Sequence, residues 1–177
     1  MKCCDCEFKN RCDETEKVLT SFVKCYKRDR LLKEQKTQTN ADKIRSMTDE
    51  ELEVGLLYDL KPLAAVYLDA GAMYGVDPVF LAAKDAEESG WGRYTAAPNN
   101  LGGWTSDDGG YMSFDSPEDY IYYSAEKMRE LYLEEDGRYY NGTSLSDVCV
   151  AYNGNPEWAE HIESIMDDIY WRIEKAE

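Results

Sequence analysis

The sequence is poor in histidine, in basic residues and in long apolar runs. One histidine, His161, stands among 177 residues. A zinc amidase or peptidase generally draws on two or three His ligands, so that chemistry is excluded. A Cys–His peptidase would have to pair Cys149 with His161, whose order and short separation suit no such enzyme. No stretch approaches the roughly 18 apolar residues that a membrane-spanning helix needs. The opening MKCCDCEFKNRCDE is polar throughout and lacks the apolar core of a secretory signal. The expectation is a chain made in the cytoplasm that reaches any outside target by another route. No Gly-rich loop ending in Lys follows a strand pattern, which removes nucleotide chemistry. Lys and Arg number 20 against 36 Asp and Glu, a net of −16. Nucleic acid needs clustered basic residues, so it is not an expected partner.

What is present argues for a folded protein. Hydrophobic residues make up 43% and aromatic residues 12%, too much for a disordered chain despite its charge. The charge is uneven: residues 1–47 hold 12 Lys and Arg against 8 Asp and Glu, whereas residues 48–177 hold 8 against 28. That shift divides the chain into a Cys-rich basic segment, 1–47, and an acidic domain, 48–177. Five of the six cysteines lie in the first 25 residues. Cys3 and Cys6 have zinc-ligand spacing, and Cys12 with Cys25 completes a candidate four-thiolate zinc site. The spacing after Cys6 fits no familiar zinc module, and a reduced or fortuitous cluster is the alternative. Val18, Phe22, Cys25 and Tyr26 then recur at helical spacing, which predicts an amphipathic helix serving attachment or capping.

From residue 48 the punctuation is mainly helical. Thr48 with Glu51 forms a capping box that opens a helix through about Leu60. Leu63, Val66, Tyr67, Ala70, Met73 and Tyr74 predict a second helix ending at Gly75. Asp77-Pro78 caps a third, PVFLAAKDAEE, which stops at Ser89-Gly90. Ser116-Pro117 opens a long helix with Ile121, Met128 and Leu131 on one face. LSDVCVAY reads as a short helix, and Asn155-Pro156 starts the last, with a stripe from Ala159 to Ile173. Between residues 101 and 116 the pattern changes, and Asp108-Gly109 predicts a small hairpin. The fold class is mainly α, a helical domain with one small β-hairpin.

The stretch AEESGWGRYTAAPNNLGGW, residues 86–104, places Glu87 and Glu88 at the end of a helix. A helix C-terminus carries partial negative charge and disfavours an anion. Glu87, the acidic domain and burial beside Trp91 push in the same direction. A carboxyl kept neutral near physiological pH can donate a proton to a leaving oxygen, as glycoside cleavage requires. An exposed helix-end residue is the plainer reading.

ESGWG at 88–92, NNLGGW at 99–104, FDSPEDYIYYSAEKM and AYNGNPEWAEHIESIM follow one another in an order that resembles the glucosaminidase-type peptidoglycan hydrolases, a lysozyme-like family. The resemblance covers about residues 60–173. It implies an α+β lysozyme-like fold and a substrate of peptidoglycan glycan strands, cut at the N-acetylglucosaminyl-β-1,4-N-acetylmuramyl bond without a cofactor. By position Glu88 matches the catalytic acid, Tyr152 the tyrosine near the scissile sugar, and Asn100 the asparagine of the loop that closes the cleft. Asp107 and Asp108 are candidates for a second carboxylate, although DDGG is also a plain turn. If neither reaches the cleft, the substrate's own acetamido group supplies the nucleophile. Trp91 and Trp104 are candidates to stack on sugars, with core packing the other reading of Trp91. Gly102-Gly103 replaces the usual Phe-Gly, which is expected to loosen the loop and makes Gly103 a candidate substrate contact. Two alternatives stand beside hydrolysis: a non-catalytic structural or wall-binding virion protein, and a lytic transglycosylase, disfavoured by the lack of a Gly-Leu-Met-Gln-like segment. The expected setting is a phage particle, with other virion proteins meeting residues 1–47, or release through a holin.

Overall fold

The computed structural model describes residue 44 and residues 46–176. The candidate zinc ligands Cys3, Cys6, Cys12 and Cys25, and the amphipathic helix expected around them, lie outside the described residues. Within the described part the helices are α1 (Asp49–Gly55), α2 (Ala64–Tyr74), α3 (Pro78–Ser89), α4 (Pro117–Met128), α5 (Leu145–Asn153) and α6 (Pro156–Ala176). A 3-10 turn at Tyr58–Leu63 leads into α2, and a π turn at Arg129–Leu133 extends α4.

Local chemistry sets most of these ends. The Thr48 hydroxyl accepts from the Glu51 N–H at 3.2 Å, and the Glu51 carboxylate accepts from the Thr48 N–H at 2.7 Å. The Asp77 carboxylate accepts from the Val79 and Phe80 N–H groups at 2.8 and 3.2 Å. Ser116 caps α4, and Ser144 with Asp147 forms a reciprocal box at the start of α5. Gly75, Gly90 and Gly154 close α2, α3 and α5 in the left-handed conformation that glycine adopts without a Cβ penalty.

The first helix is shorter than its pattern predicts. It ends at Gly55, and Leu56 turns extended with ψ 157°. A Cβ at position 55 would stand 2.7 Å from Ile169 Cγ2, so α1 meets α6 where only glycine fits. Pro62, which has no N–H to donate, then lies in the 3-10 turn. Met73, one of the residues whose spacing predicts α2, is 65% exposed.

Between α3 and α4 no strand forms among the described residues. The chain doubles back through one antiparallel bridge, Thr105 to Tyr111. The Met112 N–H donates to the Trp104 carbonyl at 2.9 Å, and the Ser106 N–H donates to Gly110 at 2.8 Å. Asp108-Gly109 lies at the tip, with Gly109 at φ 85°.

The third helix is the centre of the domain. Every residue from Pro78 to Ala86 is buried, the charged Lys84 and Asp85 included. It packs against α2 and α6, and α6 also covers α1 and α5. Leu52, Leu81, Ile121, Met128, Ile162 and Ile169 fill the interior between them.

Candidate active site

The end of α3 is built by three consecutive residues with left-handed backbone. Gly90, Trp91 and Gly92 have φ of 58°, 64° and 85°. The N–H groups of Gly90 and Trp91 both donate to the Ala86 carbonyl, satisfying an end that would otherwise be open. Ser89 is buried and ties the turn: its hydroxyl donates to the Asp85 carbonyl at 2.5 Å and accepts from the Gly92 N–H at 2.7 Å. A Cβ on Gly92 would lie 3.0 Å from the Asp59 Cβ, so the chain passes close to the 3-10 turn there. The Gly-Trp-Gly spacing therefore reflects a sharp exit that leaves Glu88 at the last turn of the helix.

Glu88 lines a cavity of about 770 Å³. Tyr152 of α5, Asn100, Gly103, Trp104 and Asp107 line the same cavity. Although much of the Glu88 side chain is open to water, desolvation of its carboxyl is the main cause of a proton affinity above the ordinary glutamate range. Lys84 opposes that rise, while Asp85 and Glu87 add to it. Tyr152 is held above the usual phenol range first by burial, with Glu88 and Asp85 adding and Lys84 opposing. It stays a neutral phenol, whose hydroxyl donates to the Gly102 carbonyl at 3.2 Å. Its ring stacks on Trp158, centroids 5.2 Å apart.

The remaining candidates divide. Asn100 is fully buried and spends its amide on the loop. Its nitrogen donates to the Trp104 and Met112 carbonyls at 2.8 and 2.9 Å, and its oxygen accepts from the Trp104 N–H at 2.9 Å. It clasps both ends of the bridged turn and thereby shapes the cavity wall. Trp104 presents a half-buried ring held by edge contacts to Tyr123 and Tyr152, and its indole N–H donates to Ser124 at 3.3 Å. Asp108 is not among the lining residues. Its carboxylate accepts from the Ser106 hydroxyl at 2.5 Å and the Gly110 N–H at 3.1 Å, bonds that hold it below the usual range. Trp91 also lies away from the cavity wall, with its ring 5.2 Å from the Arg172 guanidinium. The expected loosening by Gly102-Gly103 is replaced by a closer fit. A Cβ on Gly102 would overlap the Tyr120 hydroxyl and stand 2.8 Å from Lys84 Nζ. Position 102 is glycine because the loop rests directly on buried side chains.

Those side chains are what a motif search misses. Lys84 and Asp85 are fully buried within α3 and ion-paired to each other. Lys84 Nζ donates to the Tyr120 hydroxyl at 3.0 Å, and Tyr120 donates to Asp85 at 2.6 Å. The Tyr67 hydroxyl donates to the other Asp85 oxygen at 2.9 Å. Burial would lower the Lys84 proton affinity, but the Asp85 carboxylate beside it leaves the amine well above the ordinary range and cationic. Removing one partner of such a pair strands the other and costs about 3–5 kcal/mol. The only sequence signal is two adjacent charges inside an otherwise apolar helix. Cys149 and His161 make no catalytic pair. Cys149 is buried, which pushes its thiol up to about 11, and exposed His161 has Nδ1 3.1 Å from Glu87 Oε1.

Residues 64–171 match the glucosaminidase family, described as mannosyl-glycoprotein endo-beta-N-acetylglucosaminidase. The chain belongs to that family. The glucosaminidase match begins at the first residue of α2 and runs into α6, so it takes in every residue that lines the cavity. Two proteins of Streptococcus pneumoniae, from strains TIGR4 and R6, are provisionally named endo-beta-N-acetylglucosaminidase and are each 33% identical over 113 residues. That alignment covers 60% of this chain but 17% and 16% of the two relatives.

Proposed function

We propose that this glucosaminidase domain, on a lysozyme-like fold, hydrolyses the N-acetylglucosaminyl-β-1,4-N-acetylmuramyl bond of peptidoglycan with Glu88 as general acid. The observation that supports it is a carboxyl of raised proton affinity lining the same cavity as a neutral tyrosine. Glu88 delivers its proton to the bridging oxygen as that bond breaks. The Tyr152 hydroxyl donates to the Gly102 carbonyl, which leaves its oxygen lone pairs free to meet the electron-poor sugar. Asp107, which lines the same cavity, accepts a proton from the attacking water, whose oxygen bonds to the anomeric carbon.

Release of reducing N-acetylglucosamine ends from purified walls tests the reading. Glu88→Gln is expected to lower the rate by roughly 10²–10⁴. The wild-type rate falls as pH rises through the elevated Glu88 value, because the donor is then lost, and residual activity of the variant lacks that fall. Equal lysis by both proteins rejects the assignment, and anhydro-muramyl ends in place of reducing ends identify a transglycosylase.

A further inference from the structure

The buried ion pair of α3 has no part in the reaction scheme above, yet it lies against two walls of the cavity. Lys84 is four residues before Glu88, one turn down the same face of the helix. Its ammonium is 5.7 Å from the centre of the Tyr152 ring and immediately beneath the Gly102 backbone. The Gly102 carbonyl in turn receives the Tyr152 hydroxyl. A cation and an anion are thus sealed under the tyrosine and the loop that carry the site, at the cost of desolvating both.

We propose that Lys84 and Asp85 are positioning residues for Glu88 and Tyr152: the pair is the polar support on which the Tyr152 ring and the Gly102 backbone rest, and the Lys84 ammonium is the counter-charge to the Glu88 carboxyl one turn above. This deepens the glycosidase reading and rests on it for the catalytic meaning of Glu88. Charges of both signs act on Glu88. From α3 it meets Lys84, Asp85 and Glu87, and from α5 it meets Tyr152. His161 of α6 engages Glu87, and Asp107 and Arg138 line the cavity from the loops. Lys84 opposes the rise that desolvation, Asp85 and Glu87 impose.

The test is a titration of the full chain by nuclear magnetic resonance, with carbon-13 at lysine Cε and glutamate Cδ. In wild-type protein the Lys84 Cε signal is expected to move with the same midpoint as the Glu88 carboxyl, and that movement disappears in Glu88→Gln. A Lys84 signal that is silent through the Glu88 midpoint overturns the proposal. Lys84→Met is expected to raise the Glu88 midpoint by about one unit, Asp85→Asn to lower it, and the double substitution to return it toward wild type. A folded Lys84→Met with an unchanged midpoint also overturns it. If that variant does not fold, the wild-type and Glu88→Gln pair still decides, because it leaves the buried cluster intact. In turnover, the high-pH limb of kcat follows the same order of shifts, with KM changed less than about twofold. The titration needs no turnover. Coupled titration in a protein that releases no sugar ends rejects the hydrolase reading and leaves the positioning role standing.

Discussion

Asp107 and Asp108 are adjacent in sequence and differ in surroundings. Asp108 closes its own turn through Ser106 and Gly110, while Asp107 reaches the cavity. Asp107→Asn is expected to lower kcat by about 10²-fold, and Asp108→Asn to change it less than about twofold, in a reducing-sugar assay on walls. Full activity of Asp107→Asn would transfer the role to the acetamido oxygen of the substrate. At this scale the position of Glu88 at a helix end was legible, because the carboxyl and the motif around it are local features. The division between Asp107 and Asp108 was not, since it depends on which way a turn folds. Nor was the Gly102 contact, because Lys84, Tyr120 and residue 102 are far apart along the chain and meet only through packing.

Helix starts were readable from sequence where a side chain caps its own backbone, as at Thr48, Asp77 and Ser116. The end of α1 was not, because the pattern carries no sign of the close approach of Gly55 to α6. The burial of Lys84 and Asp85 was equally hidden, since a charged pair on a helix usually marks an exposed face. Gly55→Ala tests that close approach. The added methyl meets Ile169 Cγ2 at 2.7 Å and its carbonyl at 3.1 Å, so urea unfolding is expected to show a loss of about 1–3 kcal/mol. An exposed helix-interior site would instead gain from the same substitution, by up to about 1 kcal/mol.

Over the molecule as a whole, residues 48–177 carry a large excess of carboxylates, and Arg138 is the one cation among the described residues lining the cavity. For the wall hydrolysis proposed above, a strongly acidic domain approaching an anionic wall is slowed by repulsion, which salt screens. Raising ionic strength from about 0.01 to 0.15 M shortens the screening length from roughly 30 to 8 Å. The initial rate at low wall concentration is expected to rise over that range, and a falling rate would show that attraction dominates the encounter. The sealed thiol of α5 adds a different handle on the same body. With its side chain shut away and its proton tightly held, Cys149 is reached by an alkylating reagent only when the helices around it part. Mass-spectrometric detection of the modified peptide thus counts openings of the interior, and the molecule carries its own clock for how often it breathes.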